Sequence, residues 1–412
     1  MNKLEQVAHK LIGDYPFLRI PLVALYQRAC SVLPSKNFEV VDLEFCRPGF
    51  FFGFHDKCPW SYDGSKLLAH RYDVNKSVNQ VEDESIDVGY FENDEFKFIG
   101  STNAWNWQQG SSIQWVGKAN KIIYNNLEQN KPVAKIVDLD TDEKESLPCH
   151  VMAVSNNGRY AVSCSFARLG KSMSGYGYKD QLSTNENDLL PDNEGLTIID
   201  LESKAEKQIL FLKDVIDSYP DVAMDGAYHL FSHCLFSPDD SRIVFFHRYL
   251  RKNGSLETRM FSCDMDGKNI WHFAGGKFSH IAWYGNSTVL AYSKPAGHEI
   301  GFYFLEEDTG RITAIVNESL TSDGHPQISS DGENVLIDTY PNRSRIQRLM
   351  LYNIEGNRCE PLVKYKIPFR YRLERRCDFH PRWNRDNTKI CFDSAHKNVR
   401  ALCVMSKPEF TS

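Results

Sequence analysis

No apolar run in these 412 residues approaches the length needed to cross a bilayer as a helix, which removes membrane-spanning classes from consideration. Positive charge is not in excess either. Lys and Arg number 48 against 54 Asp and Glu, a net charge of -6, so a surface that grips nucleic acid by bulk charge is excluded. The chain carries no phosphate-cradling P-loop, no G-x-S-x-G elbow and no kinase or dinucleotide signature. Its opening, MNKLEQVAHK, has neither the apolar core nor the small-residue cleavage site of a secretory signal, and a cytoplasmic location is expected. The eleven cysteines are odd in number, and Cys164, Cys234, Cys391 and Cys403 fall in strand-like runs, where a thiol behaves as a small buried hydrophobe. Free thiols are therefore expected instead of a disulfide framework.

What is present is a repeat. A histidine stands just before a short strand-like run ending in a polar turn at His55 (HDKCPWSYDG), His150 (HVMAVSNNG), His233 (HCLFSPDD), His280 (HIAWYGN), His325 (HPQISSDG) and His380 (HPRWNRDN). A seventh copy has Gln109 in the histidine's place (QGSSIQWVGK). After each turn comes a second apolar run rich in β-formers, at 66–70, 121–124, 159–166, 242–246, 288–292, 334–338 and 389–393. Strand, turn and strand recurring about every fifty residues is how a propeller blade begins, because one small sheet cannot bury both faces until its neighbours stack around an axis. The expected fold is all-β: a seven-bladed β-propeller over residues 37–412 behind a short helical hairpin at 1–36.

Equivalent positions in equivalent blades lie at equal heights around the axis, so the marked residues should form a ring at the funnel mouth. Imidazoles gathered there offer proton transfer near neutral pH, metal ligation, or hydrogen bonds to a polar ligand. The competing reading is structural, a histidine that ties neighbouring strands together.

Within residues 1–36, Leu4, Val7, Ala8 and Leu11 follow a helical period, Gly13 and Pro16 break it, and a second period runs through Leu25, Tyr26, Ala29 and Val32 to Pro34. This hairpin reads either as a cap on the propeller or as a docking element for a protein partner. The step from His150 to His233 covers 83 residues, against 41 to 55 for the other five, with Gln109 counted as a marker. The excess lies mainly at 168–194, rich in Gly, Ser, Asn and Asp, which reads as a long loop between the second and third strands of its blade. The stretch 214–228 reads as a further connection with helical character, and 38–45 as a strand able to pair with 401–405 and close the ring.

The strings FFGFHDKCPW, WNWQQGSSIQW, SFARLGKSMSGYGY, HCLFSPDDSRIVFFHR, DGHPQISSDGENVLIDTYP and RCDFHPRWNRDNTKICFDSAH resemble those of the seven-bladed propeller polysaccharide lyases, the oligogalacturonate lyases and the related ulvan lyases. The resemblance covers nearly all of the chain after residue 37. It implies β-elimination on a glycan containing uronic acid: a neutralised substrate carboxylate, a base that takes the C5 proton, and an acid that protonates the departing glycosidic oxygen. On that implication Arg248 is the candidate neutraliser. His233, with Tyr178 or Tyr228, would move the protons, and His150 is a further member of the catalytic set. His55, His280, Trp105, Trp107 and Gln109 are candidates for holding sugar, although both tryptophans read equally well as blade packing. The resemblance also implies a divalent metal held by histidines and a glutamine, which His325, His380, Gln327 and His247 could supply. Cys377, three residues before His380, would suit a transition metal as well. A thiolate beside imidazoles favours zinc, whereas imidazoles with an amide oxygen fit manganese.

One departure from the lyase pattern is plain: no histidine lies between His70 and His150, where ulvan-type members are expected to carry catalytic ones. Two functions follow. One is a cytoplasmic lyase acting on short, acidic oligosaccharides. The other is a glycan-binding propeller, noncatalytic or differently catalytic, serving cell-surface polysaccharide biosynthesis.

Overall fold

A computed structural model of the chain describes residues 22, 25–30, 43–82, 84–178, 185 and 187–410. Among these, every sheet belongs to one ring of seven antiparallel blades. Blade 1 is Phe50–Phe51, Lys66–Arg71, Ile86–Glu92 and Glu95–Thr102; blade 2 is Gln114–Trp115, Lys121–Glu128, Lys131–Asp138 and Lys144–Leu147. Blade 3 comprises Ala153–Val154, Tyr160–Ser163, Gly195–Asp200 and Glu206–Phe211, and blade 4 comprises Tyr228–Phe236, Arg242–Leu250, Leu256–Asp264 and Trp271–Phe273. Blade 5 holds Gly275–Gly276, Ile281–Tyr284, Thr288–Pro295, Gly301–Glu306 and Ile312–Ala314. Blade 6 holds Pro326–Ile328, Asn334–Asp338, Ile346–Asn353 and Arg358–Lys366. Blade 7 is Arg382–Trp383, Lys389–Ser394 and Ala401–Ser406, completed by Leu43–Pro48 from the N-terminal side of blade 1, with Cys46 directly opposite Cys403. The expected closing pairing therefore forms through residues 43–45 and runs on to Pro48, while residues 38–42 lie outside the described residues.

The turn chemistry shows why the sequence repeats. In blade 1 the Ser61 hydroxyl donates to Asp63 (2.6 Å) and accepts the Lys66 amide (2.9 Å). The same box recurs with Ser155, Asn157 and Tyr160, with Ser237, Asp239 and Arg242, and with Ser329, Asp331 and Asn334. In blade 7 the Asn384 carboxamide takes the serine's accepting role toward the Lys389 amide. The fourth residue of each box adopts positive φ: Gly64, Gly158, Asp240, Gly332 and Asn387. Gly, Asn and Asp tolerate that region best, which accounts for the D-G and N-G endings in the sequence.

Second strands are buried on both faces, as in Asn334–Asp338, because each blade packs against two neighbours. The apolar clusters record this. Val162 and Leu196 of blade 3 share one with Phe231 and Phe245 of blade 4, Val244 and Phe246 share the next with Val289 and Leu305 of blade 5, and Leu336 and Leu349 of blade 6 join Ile390 and Phe392 of blade 7. Another cluster runs from Leu402 of blade 7 through Leu67 and Val88 to Ile122 of blade 2, so apolar contact continues across the seam.

The long insertion lies where expected, between the second and third strands of blade 3, but opens with a helix, Phe166–Ser172, capped by Ser165. A second helix, Leu212–Ser218, and a short turn of 3-10 helix, Val222–Met224, fill the connection to blade 4. Residues 22 and 25–30 are helical; the rest of the expected N-terminal hairpin lies outside the described residues. No helix among the described residues is long and apolar enough to cross a membrane.

Candidate active site

The innermost strands bring five of the six marked histidines together. The His280 and His325 rings have centroids 4.0 Å apart, His325 and His380 4.2 Å, and His55 lies 5.2 Å from His325. Phe54 touches His233 on one side (5.5 Å) and His380 on the other (5.1 Å). All five histidines are buried. His233 and His380 achieve this with positive φ, of 55° and 43°. Such backbone costs about 1–2 kcal/mol at a non-glycine residue and persists only where surrounding structure enforces it.

Asp338, at the end of the second strand of blade 6, organises the centre. Its carboxylate accepts the His325 amide and Nδ1–H (2.8 Å each) and, across the blade boundary, the His380 amide (3.0 Å). With Nδ1–H committed to Asp338, the His325 Nε2 of a neutral ring is a lone pair, and it faces His380 Nε2 at 3.2 Å. The distance is filled either by His380 Nε2–H donating to the His325 lone pair or by a cation held by both nitrogens. Burial pulls the His325 pKa down, but Asp338, Asp378 and Asp323 outweigh it and the net shift is upward. His380 is held well below its usual value by burial and by its neighbours His325 and His55.

His325, His380 and Asp378 place one ligand atom each within 4.8 Å of one another. Two further observations fit a cation here. Asp378 Oδ1 is buried without a hydrogen-bond partner, and the Asp338 carboxylate behind His325 is the usual second support of a metal-bound imidazole. The other Asp378 oxygen is engaged by Arg376, whose guanidinium also donates to the Tyr176 hydroxyl (3.0 Å).

Beside this trio, Asp323 accepts from His280 Nδ1 (3.0 Å) and from Ser279 (2.7 Å), which leaves His280 Nε2 as a base facing the Tyr340 hydroxyl at 3.4 Å. Burial raises the Tyr340 pKa well above its usual value. Arg248 completes the site. It is buried, its guanidinium donates to the Met173 sulfur (3.0 Å) and lies over the Phe246 ring (5.0 Å), its Nε has no partner, and no carboxylate among the described residues comes within ion-pair distance. Burial brings its pKa down to about 10, and its charge presses the His233 pKa further below that ring's usual value, an effect for which burial is the larger cause.

The remaining marked residues sit elsewhere. His150 Nε2 donates to the Asn126 carbonyl (2.9 Å), and the ring packs edge-on against Tyr178, whose hydroxyl accepts from Asn125 (2.9 Å) and whose ring stacks on Phe166. This pair is packed between blades 2 and 3, apart from the five histidines. Tyr228 lies under the Arg168 guanidinium (3.9 Å), and Arg168 in turn gathers the carbonyls of Asn185, Asp188, Leu189 and His229, so the ring supports the long insertion. His247 bonds His229 (3.0 Å) and Arg259, away from His325. Gln327 bridges the His55 carbonyl and the Trp383 amide, which uses both ends of its amide for blade-to-blade contact. Cys377 is buried in the apolar cluster of blades 6 and 7, its thiol pushed up to about 12 by burial, and Asp378 takes the place assigned to it. Trp105 and Trp107 donate to the Glu84 carbonyl and Glu82 carboxylate and are hemmed in by Phe51 and Tyr72, although their edges reach a cleft of about 490 Å³ beneath the segment 174–178. Gln109 is buried where its backbone meets Gly53, with its side-chain oxygen unpartnered.

No protein-family model and no curated protein matches this chain. Solved structures do. Over 91% of this chain and 96% of its own, the oligogalacturonate lyase of Vibrio parahaemolyticus aligns with a TM-score of 0.59 at 14% identity. The two share a fold. Hydrazine synthase of Kuenenia stuttgartiensis aligns over 91% of this chain and 99% of its own with a TM-score of 0.49 at 12% identity. The seven-bladed propeller is thus common ground with a lyase, while the chemistry of this chain has to be argued from its own side chains.

Asp323, Asp338, Tyr340, Arg376 and Asp378 had not been singled out from the sequence. A signal existed for two of them: Asp323 and Asp378 each stand two residues before a marked histidine, in DGH and DFH.

Proposed function

We propose that this protein takes an oligosaccharide bearing a uronic acid at the cluster of five histidines beside Arg248 and cleaves it by β-elimination. The observation that carries the reading is Arg248, a buried guanidinium without an anion among the described residues. Buried charges are almost always paired, so an arginine left this way is matched by a ligand that brings the negative charge. A sugar carboxylate fits, since a planar carboxylate accepts two bonds from one guanidinium.

With the carboxylate on Arg248, the C5 proton becomes more acidic. The C5–H bond breaks toward a base, the electron pair forms the C4–C5 double bond, the C4–O bond breaks, and the departing oxygen takes up a proton. His280 is oriented as the base by Asp323, with Tyr340 positioned to pass a proton between ring and sugar. His233, kept neutral by burial and by Arg248, stands beside Phe54 (5.5 Å) as the second proton-transfer group. A divalent cation on His325, His380 and Asp378, when bound, would draw further charge from the carboxylate as a Lewis acid. Two imidazoles with a carboxylate suit zinc or manganese, and the thiol of Cys377 takes no part. The expected location remains the cytoplasm, with short, acidic oligosaccharides as substrates.

Ultraviolet absorbance of the new double bond tests this directly. Incubation with oligogalacturonate, with and without added Mn²⁺ or Zn²⁺, should give a rising signal that Arg248→Ala and His280→Ala reduce by at least about 100-fold, the usual span for a lost proton-transfer group. Tight binding with no absorbance change would instead support a glycan-binding role in polysaccharide biosynthesis.

A further inference from the structure

The ring is closed by pairing Leu43–Pro48 with Ala401–Ser406, and at the middle of that pairing stand two cysteines. Cys46 lies directly opposite Cys403, with the sulfur atoms 3.1 Å apart although the residues are 357 positions apart in the chain. Directly opposite residues in an antiparallel pair have Cα atoms about 4.5 or 5.5 Å apart, and both spacings fall within the range a disulfide spans. No backbone movement is needed to join them. Cys403 is fully buried, whereas Cys46 is half-buried and is the sulfur a small oxidant can reach.

We propose that Cys46 and Cys403 form a thiol pair for oxidation by peroxides, whose disulfide locks the propeller shut. The Cys46 sulfur, as thiolate, attacks one peroxide oxygen; the O–O bond breaks, a proton and the leaving hydroxide give water, and Cys46 becomes a sulfenic acid. The Cys403 thiol then attacks that sulfur, the S–O bond breaks, and the displaced hydroxide takes the thiol's proton as a second water. Two thiols are oxidised by two electrons and one peroxide is reduced. The bond from Cys403 lowers the Cys46 pKa, with burial opposing and Lys397 and Arg47 assisting, which favours the thiolate at Cys46 over that at Cys403.

The consequence follows from topology. The seam is the one place where the ring is held by hydrogen bonds and packing between the two ends of the propeller chain. A cross-link there closes a loop of nearly the whole protein, and long loops gain the most from cross-linking because the unfolded chain loses the most freedom. This inference does not depend on what the funnel binds.

The test uses the full chain. After brief exposure to a small excess of hydrogen peroxide, free thiols are alkylated and the protein is digested without reductant. The expected product is a cross-linked peptide pair joining Cys46 to Cys403, lighter than the two thiol peptides by two hydrogens. Oxidised protein should unfold about 5 °C or more higher than reduced protein, and a reductant should reverse the shift. In Cys403→Ser the cross-link and the shift should vanish while Cys46 becomes reactive toward a sulfenic-acid probe; should that variant fold poorly, Cys46→Ser provides the same loss of the thermal shift. Cys46 recovered fully alkylated, or cross-linked mainly to another cysteine, would overturn the proposal.

Discussion

Arg248 combines two properties that rarely occur together in a protein interior, burial and, among the described residues, the absence of an anion. An arginine kept only for structure would have a carboxylate or several carbonyls, as Arg400 has Asp393 and the Trp107 carbonyl. This contrast predicts a separation of stability from binding. Replacing Arg248 with methionine removes a desolvated charge and keeps the apolar stem, so thermal unfolding should occur at the same or a higher temperature while affinity for uronate is lost. A fall of more than a few degrees in calorimetry would mean that the guanidinium has a structural partner after all. Asp338 behaves in the opposite sense. It holds three donors from two blades, so Asp338→Ala should cost about 2–4 kcal/mol in denaturant unfolding and loosen both His325 and His380. Metal binding, followed by calorimetric titration with Zn²⁺, should weaken by at least about 10-fold in the same variant.

At the scale of the element, blade 4 shows that histidines can serve folding alone. Arg259 donates to His247 Nδ1, so His247 is neutral with its proton on Nε2, and that proton is donated to His229 Nδ1. Burial lowers the His229 pKa to about 4 and holds His247 well below its usual value. The unfolded rings titrate near 6.5, so between that value and about 4 the unfolded chain binds more protons than the folded one. The stability these neutral rings confer is complete above pH 6.5 and is lost as the pH falls toward 4. Thermal unfolding followed across that interval should therefore move to lower temperature on acidification, and His247→Phe should flatten the dependence. An unchanged slope would show that other groups govern it.

Whether a contact is local or crosses between blades decides what the bare sequence shows. The polar box of Ser61, Asp63 and Lys66 is local, made within six residues, and repeats with its own spacing, so the blades and their second strands are visible in the bare sequence. His247 and Gln327 carry the right chemistry but face other partners, because successive strand residues alternate faces and the sequence alone does not say which face meets the axis. Asp338 reaches His380 across 42 residues, from one blade into the next, and no local spacing encodes such a contact. The centre of the site is built mostly from contacts of that kind.

For the molecule as a whole, the apolar clusters run from blade to blade without a break, and the seam between Leu43–Pro48 and Ala401–Ser406 is part of that continuity. Removing residues up to 48 would leave Ala401–Ser406 as an exposed, mostly apolar edge. Such a truncated chain should unfold at a markedly lower temperature and self-associate, which light scattering during a thermal ramp would show; a monomer of unchanged stability would contradict the role given to the seam. A rigid ring also suits the chemistry, because Arg248, His280 and His325 come from three different blades and keep their spacing only while the ring stays closed. The central claim is that the funnel receives a sugar carboxylate on Arg248. Calorimetric titration of the full chain with a saturated galacturonate oligosaccharide tests it most directly, with its carboxyl-reduced neutral counterpart and the Arg248→Met variant run beside it. The account predicts binding of the acidic sugar alone, and a loss of at least about 10-fold, or 1.4 kcal/mol, in the variant; equal affinity for the neutral sugar, or for the variant, would contradict it.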